Sequence, residues 1–268
     1  MDWDAAYDNR ATVKDFNEFL ENWTGAAQAF RQQALQGETA QLDLPYGSGD
    51  RNRFDLFEPD NNPKGVVIFI HGGYWRSLDK SYWSHLAQGA LEHGWAFAVP
   101  SYTLAPNARI GKITSEIASA ITSIAAMVSG PIRLCGHSAG GHLVARMNCT
   151  DSMLVDEVFD RVEKTIAISG VFDLEHLPKT AMNADLRIDQ HEILSESPAR
   201  LSPRKGARVH CLVGGNELDE FKRQNDLLIP WEQHGARVTR NIAAGYNHFS
   251  VIEPLADPAS PLVQALFA

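Results

Sequence analysis

Short runs that read as strands, several of them nearly all apolar, alternate along this chain with longer amphipathic stretches and restrict its fold more than any other feature. The runs are RFDLF (53–57), VVIFI (66–70), WAFAV (95–99), IRLC (132–135), TIAI (165–168), RVHCLV (208–213) and RVTRNI (237–242). A strand such as VVIFI has no polar face to turn to water, so it must be covered on both sides, as parallel strands are. Between the runs, residues 112–128 set Ile113, Ile117, Ala120, Ile121, Ile124 and Val128 along one helical stripe. Residues 80–93, 139–150 and about 218–233 read as further helices. This alternation predicts an α/β fold, a mostly parallel sheet with right-handed crossovers and helices on both faces. In such sheets the active site lies at the C-terminal ends of the strands.

With 268 residues, 44% of them hydrophobic, the chain can build one large core, and a single domain over 1–268 is expected. Two stretches break the alternation. Residues 1–45 read as two or three helices ahead of the sheet, and 171–203 is too long for a plain connection. Both are expected to cover the site, as an N-terminal helical cover and a lid-like insert. A net charge of −9 argues against nucleic acid as a partner. The N-terminus lacks the layout of a signal peptide, and no apolar run is long enough to span a bilayer. Cys135, Cys149 and Cys211 are odd in number and form no CxxC pair, which predicts a reducing, cytoplasmic setting without disulfides.

The stretch LCGHSAGGHL (134–143) carries the first chemical signal. Ser138 follows a strand, precedes a helix and stands between Gly136 and Gly140, the strand–turn–helix setting of a nucleophile elbow. A turn that sharp strains the serine backbone and leaves no room for side chains two residues to either side. The helix behind Ser138 offers free N–H groups to a developing oxyanion. The bland alternative is a tight turn with a helix-capping serine.

The second signal is IFIHGGYWRS (68–77), again directly after a strand. The N–H groups of Gly72 and Gly73 can complete an oxyanion hole with that of Ala139. His71 reads as a hydrogen-bonding organiser of this loop. Tyr74 and Trp75 follow the hole and are candidates for the substrate pocket, with plain core packing as the alternative.

A serine hydroxyl needs a base within hydrogen-bond reach, and in this strand–helix order the acid and then the histidine follow the serine. His248, in the loop after the last strand, is the candidate base. His142, His176, His191, His210 and His234 fall on helices, in a strand or in the insert. The acid belongs after RVHCLV, where GGNELDEF (214–221) offers Glu217 and Asp219; Glu217 is preferred, because it lies in the loop before the helix.

The set HGGYW (71–75), SYTLAP (101–106), GHSAGGHL (136–143), NELDEF (216–221) and NHF (247–249) resembles α/β-hydrolase-fold serine esterases. Within them it is most similar to the kynurenine formamidase (arylformamidase) branch, related to the hormone-sensitive-lipase group. The resemblance spans about residues 50–255 and implies an eight-stranded, mostly parallel sheet, with Ser138 and His248 in the family's serine and histidine positions. The family's acid is usually aspartate, where this chain has Glu217. Its lipases also begin the D-Y-x-L-A-P stretch with aspartate, where this chain has Ser101.

The expected activity is hydrolysis of a small carboxylic ester or aryl formamide through an acyl-enzyme, with N-formylkynurenine as a candidate substrate. The alternative class is a catalytically silent protein of the same fold that binds a ligand or partner. No cofactor is expected. HEILSE (191–196) has Ser195 where a zinc HExxH needs its second histidine, and GSGDRN (47–52) lacks the last glycine of a dinucleotide loop. Partners reduce to the small-molecule substrate, without nucleic acid or membrane, and a homodimer stays open.

Overall fold

The computed structural model describes residues 1–268. Eight strands form one sheet: β1 (Ala40–Pro45), β2 (Arg53–Phe57), β3 (Val66–Ile70), β4 (Ala96–Pro100), β5 (Ile132–His137), β6 (Val162–Ile168), β7 (Arg208–Gly214) and β8 (Arg237–Ala243). Their order is β1-β2-β4-β3-β5-β6-β7-β8; β2 pairs antiparallel with both β1 and β4, and every pair from β4 to β8 is parallel. Ten helices surround it: α1 (Trp3–Tyr7), α2 (Phe16–Gln36), α3 (Ala87–Glu92), α4 (Ile110–Met127), α5 (Ala139–Met147), α6 (Asp156–Phe159), α7 (Asn183–Leu186), α8 (Gln190–Glu196), α9 (Asp219–Asn225) and α10 (Pro261–Phe267). None of them is long and apolar enough to cross a membrane.

The all-apolar strands divide their residues between two core layers. Val66, Ile68 and Ile70 of β3 enter the layer shared with α4 and α5, while Val67 and Phe69 enter the layer shared with α2, α3 and α10. That two-sided burial is why these strands lack a polar face. On α4, Ile113, Ile117, Ala120, Ile121 and Ile124 are all fully buried, each isoleucine contributing about 1.5–3 kcal/mol of apolar burial.

Several boundaries differ from the sequence reading. Residues 40–45 are not helix but the edge strand β1, half-buried in alternation and paired only with β2. AQLDLP is too polar to announce a strand by itself, and its pairing comes from tertiary register. The helix expected over 80–93 is a pair of 3-10 turns followed by α3. The one expected over about 218–233 ends as α9 at Asn225, and Pro230 starts a separate 3-10 turn at Ile229–His234.

The parallel register sets the C-terminal ends of five strands side by side. Ile70 pairs with Gly136, His137 with Ile168, Ile168 with Leu212 and Gly214 with Ala243. The loops leaving these ends carry His71 to Gly73, Ser138, Ser169, Glu217 and His248.

Candidate active site

Ser138 sits at the tip of the turn from β5 into α5 with φ 56° and ψ −117°. Two backbone bonds hold it there: its N–H donates to the Ile168 carbonyl at 2.8 Å, and its carbonyl accepts the His142 N–H at 3.1 Å. The flanking glycines are required by contact. A Cβ on Gly136 would stand 2.2 Å from the Gly140 carbonyl oxygen, and one on Gly140 would stand 1.9 Å from that of Ile70. Both obstacles are backbone, so neither can swing aside.

His248, from the loop after β8, places Nε2 3.1 Å from Ser138 Oγ and Nδ1 2.6 Å from Glu217 Oε2. All three residues are buried. The other Glu217 oxygen, Oε1, accepts the Ser169 hydroxyl at 2.6 Å and the Gly214 N–H at 2.7 Å. The carboxylate is therefore locked from both ends, and its free lone pairs face the imidazole. Asp219, the other acidic candidate, is fully exposed beside Lys222 and does not reach His248. The extra methylene of glutamate spans the gap from a loop position just past β7.

His137 adds a support that sequence reasoning missed. Its Nε2 lies 2.8 Å from the His248 carbonyl oxygen, an acceptor only, so that nitrogen carries the proton. Complete burial and the neighbouring His248 push its basicity well below that of an ordinary histidine, which keeps the ring neutral. Ser169 was missed as well. It follows β6 directly with φ 50°, a strained position for serine, but only the register of β6 against β7 reveals that it meets Glu217.

The loop after β3 lies directly against the elbow. A Cβ on Gly72 would stand 2.9 Å from both Ser138 Cβ and the His137 carbonyl oxygen. The loop carbonyls are tied back, His71 O by Tyr102 OH at 2.9 Å, Gly72 O by His71 Nδ1–H at 2.7 Å, and Gly73 O by the Arg76 and Ser77 N–H groups. The N–H groups of Gly72 and Gly73 meet no backbone acceptor, and that of Ala139, first in α5, has none within its helix. Donors without partners beside a buried serine suit a developing oxyanion.

Gly73, Tyr74 and Trp75 follow one another at φ 107°, 50° and 55°, and this left-handed run separates the two aromatics. Tyr74 lines the cavity above Ser138, where its OH donates to the Tyr7 carbonyl at 2.6 Å and accepts from Asn9 Nδ2 at 3.2 Å. Trp75 does not line it. Its side chain is fully buried in the core, edge-on to His142 at 5.0 Å, so the expectation that it forms the substrate pocket is corrected.

The cavity, about 440 Å³, is lined mostly by the N-terminal segment and the strand-end loops. Phe16, Trp23, Trp83 and Phe249 give it an aromatic wall, and Asp4, Asp8, Arg10 and Arg76 stand among its polar lining. Of the insert at 171–203, only Ala181 and Met182 reach it. The insert's α8 docks elsewhere, Glu192 on Arg109 at 2.9 Å and Glu196 on Arg146 at 3.1 Å. Ser101, at the position where related lipases have aspartate, donates to Asp79 Oδ2 at 3.0 Å and accepts the Lys80 N–H at 3.0 Å. Asp79, from the neighbouring loop, is the carboxylate hydrogen-bonded at this position.

The family model described as BD-FAE matches residues 54–205. The chain is 30% identical to kynurenine formamidase of Danio rerio over 81% of its own length and 77% of that protein's. Kynurenine formamidase of Salmo salar is also 30% identical, over 84% of this chain and 80% of the relative. Among solved structures, one from Silicibacter sp. tm1040, described provisionally as a thioesterase, is 43% identical over the full length of both chains with a TM-score of 0.95. Esterase B of Lactobacillus rhamnosis, inhibited by a tributyrin phosphonate, has a TM-score of 0.67 at 18% identity and covers 94% of this chain and 93% of its own, a likeness of fold.

Proposed function

From the premise that this chain belongs to the BD-FAE family of α/β-hydrolase esterases and is a serine hydrolase of esters or formamides, we propose that Ser138, His248 and Glu217 are its catalytic triad and that aryl formamides of the N-formylkynurenine type are its substrates. The hydrogen-bonded line from Ser138 Oγ through His248 to Glu217, at 3.1 and 2.6 Å, carries the reading. His248 Nε2 takes the Ser138 proton as Oγ attacks the carbonyl carbon. The oxyanion is held by the N–H groups of Gly72, Gly73 and Ala139. His248 then returns the proton to the leaving amine or alcohol, which departs as the carbonyl re-forms. A formyl- or acyl-enzyme remains on Ser138. Water, deprotonated by His248, attacks it and releases the acid and the free serine. Glu217 keeps the Nδ1 proton of His248 in place and stabilises the imidazolium.

The aromatic wall supports an aryl substrate, and the two formamidase relatives support a formamide. A thioester is the second reading, favoured by the 43% identical Silicibacter structure described as a thioesterase. In this reading the site uses no cofactor or metal and engages neither nucleic acid nor membrane. The three buried, unpaired cysteines suit a cytoplasmic setting, and a homodimer is compatible with it.

The test is hydrolysis of N-formyl-L-kynurenine beside short-chain p-nitrophenyl esters and a short acyl thioester, with wild type and Ser138→Ala. Loss of about 10⁶ in kcat is expected for Ser138→Ala, with the formamide preferred by the wild type. Preference for an ester or thioester would keep the triad and discard the formamide. Activity surviving in Ser138→Ala, or no labelling of Ser138 by a fluorophosphonate, would overturn the mechanism.

A further inference from the structure

Arg10 lines the mouth of the cavity with no carboxylate partner. The other guanidinium there, Arg76, is paired with Asp185 at 2.8 Å. Arg10 instead rests 4.6 Å from the centroid of Phe16, itself part of the aromatic wall, and its side chain makes no ion pair and no hydrogen bond. A guanidinium stacked on a ring loses little freedom when it binds, and its planar fork matches a carboxylate.

Its neighbours are fixed in complementary ways. Asp8 accepts the backbone N–H groups of Arg10 and Ala11, and Asp4 accepts that of Ala181, so both carboxylates stand at the same mouth without pairing with Arg10. Asn9 is buried and also lines the cavity. Because Tyr74 gives its only proton to the Tyr7 carbonyl, Asn9 must donate Nδ2–H to Tyr74, which leaves Asn9 Oδ1 without a partner. The mouth therefore presents one free cation and two carboxylates beside an aromatic wall. A neutral ester uses none of these. An aryl group bearing an α-amino acid has a carboxylate and an ammonium to match them.

We propose that Arg10 is the specificity-determining residue of this hydrolase, taking the carboxylate of an aryl formamide that carries an amino-acid head group. The proposal rests on the formamide reading above. The measured quantity is the ratio of kcat/KM for N-formyl-L-kynurenine to that for formanilide, its neutral core. In Arg10→Gln this ratio falls about tenfold, through KM more than kcat, the scale of one charge-assisted contact at a solvent-facing mouth. Arg10→Lys recovers part of it, and added salt compresses the ratio in wild type far more than in Arg10→Gln. A ratio that Arg10→Gln leaves unchanged, or a change confined to kcat, overturns the proposal. If wild type cleaves neither formamide, the formamide reading alone is lost. Arg10 is then judged by the same ratio for a carboxylated aryl acetate over phenyl acetate, where an unchanged ratio overturns it.

Discussion

The floor of the site and its N-terminal cover are built on opposite plans. The floor is set mainly by backbone: Gly140 has no room for a Cβ, Ser138 is bonded through both its N–H and its carbonyl, and the Glu217 carboxylate is held by the Gly214 N–H together with the Ser169 hydroxyl. Near the mouth, the cover is joined mainly through side chains. Tyr7 OH reaches Glu220 at 2.8 Å, Tyr74 OH reaches the Tyr7 carbonyl, and Trp3 stacks on His176 at 3.7 Å. Its helix α2 even carries Gly25, with nothing within 4 Å of the position a Cβ would take. The contrast separates chemistry from choice. On the proposed mechanism, groups that would hold a transition state are fixed by the sheet, and groups proposed to meet the variable part of a substrate sit on a segment that side-chain exchange can re-shape.

The largest expected effect lies in the floor. Glu217→Gln keeps the shape and removes the charge that fixes the His248 tautomer, so kcat should fall about 10⁴-fold with little change in folding. Steady-state kinetics with denaturant unfolding measures both, and a fall of less than tenfold would put the acid elsewhere. Gly140→Ala comes next. With the Ile70 carbonyl 1.9 Å from the new methyl, it should destabilise the chain by more than about 3 kcal/mol or abolish soluble expression.

Acid should also act on the buried parts first. Burial lowers His71 and His85 to about 4 and His142 to about 3, and it depresses His137 as well. The unfolded chain takes up these protons near the ordinary value of about 6.5, well before the folded one does, so stability is full above that pH. It declines as pH falls from about 6.5 toward 4. Denaturant midpoints at pH 7 and pH 5 should therefore differ, with pH 5 lower; equal midpoints would mean that these rings are not buried as neutral groups. The smallest effect belongs to the cover: Gly25→Ala, in open space on a helix, should raise stability by about 0.5–1 kcal/mol. A destabilising result there would show that the cover is packed as tightly as the floor, and the contrast would dissolve.

Much of the site was legible because its demands are local. GHSAG after an apolar strand and HGG after another need only their neighbours to be read, and the loops after the last two strands pointed to Glu217 and His248. Where a signal depended on pairing across the chain, it was weak or silent. AQLDLP gave no sign of an edge strand, Ser169 no sign of its carboxylate partner, and Trp75 no sign that three left-handed residues turn it into the core.

The amino-acid sequence by itself determined the layered α/β architecture, the elbow and the candidate nucleophile and base, because periodicity and steric need for glycine are properties of short stretches. Only the tertiary structure decided that Glu217 rather than Asp219 faces His248, that His137 and Ser169 brace them, and that residues 4–23 rather than the long insert form most of the cover over the cavity. Those relations join residues far apart in the chain, and strand register and helix docking, which no local pattern encodes, bring them within hydrogen-bond distance.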